Sequence, residues 1–96
     1  MRANVGKTAI VTGASSGIGK ASAEALARAG FTVFGTSRRP SDGSNGVTMV
    51  PCDVTDDSSV KALVSTLLLQ TGRIDVLVNN AGLGHRTFNR THILLL

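Results

Sequence analysis

A glycine-rich segment, Thr12-Gly13-Ala14-Ser15-Ser16-Gly17-Ile18-Gly19, lies between an apolar run and a helical pattern. The apolar run, Thr8–Val11, does not alternate with polar residues, which is typical of a strand covered on both faces. Strand, glycine turn and helix in this order direct backbone N–H groups and a helix N-terminus toward a phosphate. Gly13 allows a tight turn, Gly17 a close approach of backbone to pyrophosphate, and Gly19 close packing of helix on strand. The segment predicts a phosphate-binding turn.

Two other interpretations of this segment have to be considered. A P-loop, G-x-x-x-x-G-K followed by Ser or Thr, shares only the pair Gly19-Lys20. It requires a glycine where Ala14 stands and a hydroxyl residue where Ala21 stands, so the P-loop is excluded. A purely structural glycine turn between a strand and a helix stays open if the three glycines are taken alone.

Apolar periodicity along the rest of the chain predicts alternating strands and helices. The predicted elements are strands at 8–11, 31–36, 47–50 and 76–78, and helices at 18–29 and from a cap at Thr55 or Asp56 to Gly72. Asp57 is placed in the positive first turn of the second helix. Residues 37–46 have the composition of a loop. This order predicts an α/β fold with a parallel sheet and right-handed crossovers.

Composition excludes several classes of protein. The net charge of +4 comes from scattered cations, Trp and Tyr are absent, and only three Phe could stack on a base, so no nucleic-acid partner is predicted. Cys52 is the only cysteine, which excludes an intrachain disulfide and fits a reducing compartment. Met1–Lys7 has no apolar signal core, and no apolar run is long enough to span a membrane. We therefore expect a cytoplasmic protein with no membrane partner.

The chain changes character after Gly84. Residues 85–92 follow neither helical nor strand periodicity, and the chain then ends on four apolar residues, Ile93–Leu96. His85 and His92 have no cysteine or carboxylate beside them, which favours solvated histidines over a metal site.

Three separated motifs together resemble the short-chain dehydrogenase/reductase family: the Thr12–Gly19 turn, Asp53 after the third strand, and Asn79-Asn80-Ala81-Gly82 after the fourth. The resemblance covers about residues 5 to 84, so we expect 1–84 to be the N-terminal part of a dinucleotide-binding domain and 85–96 a non-matching tail. It implies a Rossmann-type parallel sheet with helices on both faces. Here the sheet would be truncated to about four strands, in order 3-2-1-4.

The resemblance also implies where a cofactor binds. Ser15, Ser16 and Ile18 would line the phosphate turn together with Gly13, Gly17 and Gly19. Asp53 would accept a hydrogen bond from the adenine amino group, with Val54 behind the ring, while Asn80, Ala81 and Gly82 would run beside the adenosine ribose. Thr12 would tie the two turns together. The alternatives are a loop carboxylate near a helix N-terminus for Asp53 and an ordinary strand-ending turn for Asn79–Gly82.

Residues at the end of the second strand bear on the choice of cofactor. NAD sites usually place a carboxylate there to hold the ribose hydroxyls. This chain has Thr36, Ser37, Arg38 and Arg39 instead. A guanidinium can hold a 2′-phosphate with paired hydrogen bonds, whereas a carboxylate would repel it. These residues favour NADP over NAD, the alternative being that the two arginines are solvated loop cations.

In this family the chemistry depends on a later Tyr-x-x-x-Lys pair and a preceding Ser. The chain contains no Tyr, and its last lysine is Lys61, so no catalytic residue can be assigned. One hypothesis is a fragment of an NADP-dependent oxidoreductase that transfers hydride between the cofactor and a carbonyl or alcohol substrate. The other is a non-catalytic nucleotide-binding remnant or an inactive truncated product. Full-length members of the family are often homo-oligomers.

The sequence also leads to an expectation about stability. We interpret the chain as the first half of such an enzyme, ended by a truncated gene model, a frameshift or a cloning boundary. Val76–Val78 would then be an open apolar edge, because no later segment is expected to supply the next strand. The isolated chain is therefore predicted to be poorly stable and without dehydrogenase activity.

Overall fold

The computed structural model describes residues 5–14, 17–38, 45–53, 55–79 and 92–95. Its elements are β1 (Thr8–Thr12), α1 (Gly17–Arg28), β2 (Thr32–Ser37), β3 (Val47–Pro51), α2 (Asp57–Thr71), β4 (Val76–Asn79) and β5 (His92–Leu95). The first six elements match the predicted ones in type, and their ends lie within about one residue of the predicted ends. The fifth strand was not predicted.

The strands form one sheet in the order β3-β2-β1-β4-β5. β1 lies between β2 and β4 and is parallel to both, and β2 is parallel to β3. The predicted parallel order 3-2-1-4 is therefore confirmed. Chain order reverses at β1, since the sheet grows in one direction through β2 and β3 and in the other through β4. In open α/β sheets such a reversal opens a crevice at the carboxyl ends of the strands.

The two helices cover opposite faces of the sheet, as the crossover argument predicts. Ala9 and Val11 of β1 pack with Ala23 and Ala27 of α1 in one apolar cluster. Ile10, the residue between them, packs on the other face with Leu63 and Leu67 of α2. Successive side chains of a strand point to opposite faces, so a continuous apolar run such as β1 supplies both clusters. All five residues of β1 are buried.

Both ends of α2 are capped by side-chain or backbone hydrogen bonds. The Asp56 carboxylate accepts a hydrogen bond from the Ser58 amide at 3.0 Å, which identifies Asp56 rather than Thr55 as the N-cap. At the other end Gly72 adopts a left-handed conformation with φ of 78°, and its N–H donates to Leu68 O at 2.8 Å. Glycine is favoured there because it has no Cβ to clash in that conformation. These caps explain why the sequence defined this helix well.

β4 is not an open edge, so the expectation of an unpartnered fourth strand is wrong. β5 pairs with β4 in antiparallel orientation along its whole length, from Asn79 opposite His92 to Val76 opposite Leu95. The prediction failed because it considered only a further parallel strand, which needs a long crossover connection. An antiparallel neighbour needs only a turn back along the chain. The apolar residues near the C-terminus are thereby used as a strand.

Asp75 joins the amino ends of β1 and β4. Its carboxylate accepts a hydrogen bond from the Thr8 amide at 2.8 Å, and its own amide donates to Thr8 O at 2.8 Å. The Arg73 guanidinium Nε donates to both carboxylate oxygens, at 2.9 and 3.0 Å. These bonds to Arg73 and to Thr8, with the positive charges of Arg73 and Lys7, hold the pKa of the Asp75 carboxyl below its ordinary value.

No helix of the described part of the chain is both long and apolar enough to cross a membrane.

Candidate functional site

Four parallel strands end at the same edge of the sheet, and the residues that follow them meet there. β1 is followed by Gly13, β2 by Arg38, and β3 by Cys52 and Asp53, while Asn79 is the last residue of β4. The sheet thus brings the described parts of the three predicted motifs to one edge. This edge, with the reversal of strand order at β1, is where ligands bind in open α/β sheets.

The two ends of the glycine turn, at Gly13 and Gly17, adopt backbone conformations that favour glycine. Gly13 and Gly17 have positive φ values of 64° and 61°, a backbone conformation that residues other than glycine rarely adopt. A Cβ built on Gly17 would meet nothing within 4 Å, so glycine is needed there for its backbone conformation and not for lack of space. α1 begins at Gly17 and has no acidic residue in its first turn to offset the positive end of the helix dipole. The next residue, Ile18, is 67% exposed.

This turn is fixed to β2 through Ala14. The Ala14 amide donates to Thr36 O at 3.0 Å, and the Ala14 methyl group is buried. A Cβ on Gly35 would lie 2.6 Å from the Ala14 Cβ, closer than two such atoms can approach. Gly35 therefore allows the turn to lie directly on β2. We did not predict this contact, although a glycine inside a strand pattern is a known signal of close backbone approach.

A threonine hydroxyl connects the carboxyl ends of β1 and β4. Thr12 Oγ1 lies 3.1 Å from Asn79 Oδ1 and 3.5 Å from Val78 O, and the shorter distance marks the better acceptor for its proton. The predicted tie from Thr12 to the segment that begins at Asn79 is therefore present at Asn79. It crosses the point at which the strand order reverses.

The end of β2 carries a buried hydroxyl and an exposed cation. Thr36 is completely buried, and its Oγ1 is the one buried side-chain oxygen or nitrogen in the described residues that has no hydrogen-bond partner. An unpartnered hydroxyl in the interior costs free energy, so Thr36 is a point of lower stability at the end of β2. Arg38, two residues later, is exposed. No carboxylate stands at Thr36, Ser37 or Arg38, where an NAD site would place one.

Asp53 is held in a fixed orientation by residues at the start of α2. Its Oδ1 accepts hydrogen bonds from the Thr55 hydroxyl at 2.6 Å and from the Thr55 amide at 3.0 Å. The Asp53 amide donates to Ser59 Oγ at 3.2 Å, and its carbonyl accepts from the Asp56 amide at 3.0 Å. The two bonds from Thr55, with a smaller contribution from the positive charge of Arg38, keep the pKa of the Asp53 carboxyl below its ordinary value. Asp53 is thus an ionised acceptor at neutral pH.

Part of the predicted site lies outside the described residues. These positions are Ser15, Ser16, Arg39, Val54, Asn80, Ala81 and Gly82. The predicted site residues that the structure describes are Gly13, Gly17, Ile18, Gly19, Thr36, Ser37, Arg38 and Asp53, and all of them lie at the carboxyl edge or in the first turn of α1. In this described portion no group of three His, Cys, Asp or Glu side chains is placed to hold a metal ion.

The chain matches a known protein family over most of its length. The family model described as short chain dehydrogenase matches residues 7–93. A 3-ketodihydrosphingosine reductase from Bacteroides thetaiotaomicron is 48% identical over 75 residues, which are 78% of this chain and 28% of the relative. A 3-oxoacyl-acyl-carrier-protein reductase from Escherichia coli is 41% identical over 86 residues, 81% of this chain and 35% of the relative. The chain therefore spans about a third of the length of these relatives.

Solved structures give the same answer for the fold. An aldohexose dehydrogenase from Thermoplasma acidophilum superposes with a TM-score of 0.74 and 43% identity, covering 79% of this chain and 29% of that one. A metagenomic short-chain oxidoreductase, solved in complex with NADP, superposes with a TM-score of 0.74 and 36% identity, covering 83% of this chain and 41% of that one. With the sheet order, the glycine turn and the family match over most of its length, the chain belongs to the short-chain dehydrogenase family.

Proposed function

We propose that residues 1–84 are the N-terminal, dinucleotide-binding part of an oxidoreductase that uses NADP. The observation that carries this proposal is the glycine turn. Gly13 and Gly17 adopt positive φ, α1 begins at Gly17 without an acidic residue in its first turn, and Ala14 anchors the turn on β2. Backbone N–H groups at such a helix N-terminus suit the pyrophosphate of a dinucleotide.

The proposed cofactor site extends along the carboxyl edge of the sheet. Its residues are Gly13, Ser15, Ser16, Gly17, Ile18, Gly19, Thr36, Ser37, Arg38, Arg39, Asp53, Val54, Asn80, Ala81 and Gly82. The exposed Ile18 offers an apolar surface that a bound dinucleotide would cover. Asp53 is proposed to accept from the adenine amino group, and its ionised, oriented carboxylate suits that donor.

We propose NADP rather than NAD because of the end of β2. Arg38 is exposed there, and its guanidinium can form paired, charge-assisted hydrogen bonds with a 2′-phosphate. Thr36, Ser37 and Arg38 stand at the strand end where an NAD site would place a carboxylate for the ribose, and none of the three would repel a 2′-phosphate. The NADP complex of the metagenomic relative supports the same choice.

The nicotinamide ring, when bound, supplies or accepts the hydride, and a carbonyl or alcohol carbon is the proposed reaction partner. The residues of this chain bind and orient the adenosine and pyrophosphate end. With no tyrosine in the sequence, the proton-transfer role of the family has no counterpart in these 96 residues. That observation supports a second candidate function, a nucleotide-binding chain without turnover.

A cytoplasmic location belongs to the proposal and rests on the single buried thiol of Cys52.

The test is a comparison of two ligands that differ by one phosphate. Calorimetric titration of the 96-residue chain with 2′-phospho-ADP-ribose and ADP-ribose should show tighter binding of the first. Arg38→Ala should weaken the phosphorylated ligand selectively, by about 1–3 kcal/mol for a lost charged hydrogen bond. Arg28→Ala is the matched control, because Arg28 is an exposed arginine in the last turn of α1, away from the glycine turn. Equal affinities for the two ligands would remove the argument for NADP, and no binding of either would remove the proposed function.

A further inference from the structure

Thr55 was not among the predicted site residues, yet it makes the closest contact to Asp53. Its hydroxyl and its amide both donate to the same carboxylate oxygen, Oδ1, at 2.6 and 3.0 Å. Thr55 itself is exposed, so its side chain contributes little to the core. Side chains of Asp commonly accept hydrogen bonds from the residue two positions later, and here two donors of that residue meet one oxygen. Together they set the direction of the Asp53 carboxylate.

The backbone of Asp53 is held independently of Thr55. Its amide donates to Ser59 Oγ at 3.2 Å, and its carbonyl accepts from the amide of the helix cap Asp56 at 3.0 Å. The main chain at Asp53 is therefore fixed by α2, while its carboxylate is fixed by Thr55. With Oδ1 bound to two donors, the direction of the second oxygen, Oδ2, is set as well.

Arg38 provides the competing interaction. Its positive charge acts on the Asp53 carboxylate across the ends of β2 and β3, which are joined by a hydrogen bond from the Cys52 amide to Ser37 O at 3.1 Å. Without the Thr55 hydroxyl, attraction toward Arg38 would be opposed only by the backbone bond from Thr55. The Asp53 carboxylate would then turn toward the cation, and Arg38 would be less available to a phosphate.

We propose that Thr55 is a positioning residue that orients the Asp53 carboxylate to select a 6-aminopurine over a 6-oxopurine. An ionised carboxylate only accepts hydrogen bonds, so it attracts an amino group at purine C6 and repels an oxygen at that position. The inference rests on the proposed function, since it requires the adenine end of a dinucleotide to lie beside Asp53. It adds a residue whose contribution is orientation and which itself makes no contact with the ligand.

The test measures base selectivity in variants of the 96-residue chain. The probes are 2′-phospho-ADP-ribose and the same compound with hypoxanthine in place of adenine. The wild-type chain should prefer the adenine ligand by about tenfold, the effect of one hydrogen bond to a charged group. Thr55→Val should reduce this preference to less than about threefold, while Thr55→Ser, which keeps the hydroxyl, should retain it. Thr66→Val, at an exposed threonine in the middle of α2, should leave the preference unchanged.

A second measurement needs no ligand. Titration of the Asp53 carboxyl by NMR should show a pKa below the ordinary value in the wild type and in Thr55→Ser, and a higher pKa in Thr55→Val. Equal binding of the two bases by the wild type would overturn the role of Asp53 in base selection while leaving nucleotide binding intact. Selectivity that survives in Thr55→Val would overturn the role of Thr55. Failure of the wild type to bind either probe would overturn the proposed function itself and the inference with it.

Discussion

Replacement of Gly35 by alanine tests whether the phosphate turn is held by direct contact with β2. The added methyl group would lie 2.6 Å from Ala14 Cβ, 2.8 Å from Met49 Sδ and 3.2 Å from Val47 Cγ1. The Met49 side chain is flexible and can move, but Ala14 Cβ is attached directly to the backbone of the turn. Ordinary contact begins near 3.4 Å, so the turn has to move away by about 0.8 Å.

Two opposing contributions set the size of the effect on stability. Overpacking of this kind costs about 1–3 kcal/mol. Alanine restricts the unfolded chain more than glycine does. This raises the free energy of unfolding by about 0.4–1 kcal/mol where the backbone conformation is compatible with both residues. Gly35 is not among the glycines with positive φ, so its conformation is compatible with alanine. We expect Gly35→Ala to lower the free energy of unfolding by about 1–2 kcal/mol.

A double-mutant cycle in urea denaturation isolates the contact. Ala14→Gly removes the atom that the new methyl group would strike, so Gly35→Ala should cost less in that background. The difference between the two costs is expected to be about 1 kcal/mol, since neighbours in contact couple by about 0.5–3 kcal/mol. Additive effects would refute the reasoning. So would a Gly35→Ala variant that is as stable as the wild type and binds 2′-phospho-ADP-ribose equally well, because a displaced turn should bind it less tightly.

Two further predictions concern ionisation and buried polarity. The pKa of Asp75 is lowered in the folded state, so its contribution to stability is complete above its ordinary value of 3.8 and is lost as the pH falls through the folded value. The free energy of unfolding from urea titrations should therefore decrease from about pH 5 downward, and Asp75→Asn should flatten this decrease. An unchanged pH dependence in Asp75→Asn would contradict a stabilising role for the hydrogen bonds of the Asp75 carboxylate to Thr8 and Arg73. Thr36→Val removes a completely buried hydroxyl without a partner in the described structure and should raise the free energy of unfolding by about 1 kcal/mol in thermal melts. A decrease would mean that this hydroxyl is hydrogen-bonded in solution.

Local sequence signals were sufficient for most of the fold. The run at β1 supplies apolar residues to both faces, and the periodicity of α1 and α2 gives each helix one buried side. Gly72 ends α2 through its left-handed backbone conformation, and Asp56 begins it because its side chain accepts a hydrogen bond from the Ser58 amide. Both effects depend only on nearby residues. The parallel order then follows from the handedness of crossovers. Such features can be predicted because each is decided within a few residues or by a general rule of topology.

Contacts between distant residues were harder to predict. The glycine turn was recognised from its own residues, but its support by Gly35 depends on the distance between two segments that only the folded sheet brings together. Asp53 was identified as a site residue, whereas its orientation by Thr55 depends on a side-chain rotamer. The unpartnered state of the Thr36 hydroxyl can be seen only when its neighbours are placed. The sequence thus indicated which residues form the site but not what holds them in position.

Pairing with the antiparallel β5 moves the outer edge of the described sheet from β4 to β5. Pairing with β4 covers the edge that we expected to be open, so the outer strands of the sheet are β3 and β5. β3 is exposed at Thr48 and ends in Pro51, a residue that lacks an N–H and suits an edge strand. The sequence of β5, His-Ile-Leu-Leu, contains neither lysine nor proline, which natural sheets use to discourage pairing with other chains. The reason for expecting aggregation therefore still applies, but it concerns the outer edge of β5 instead of β4.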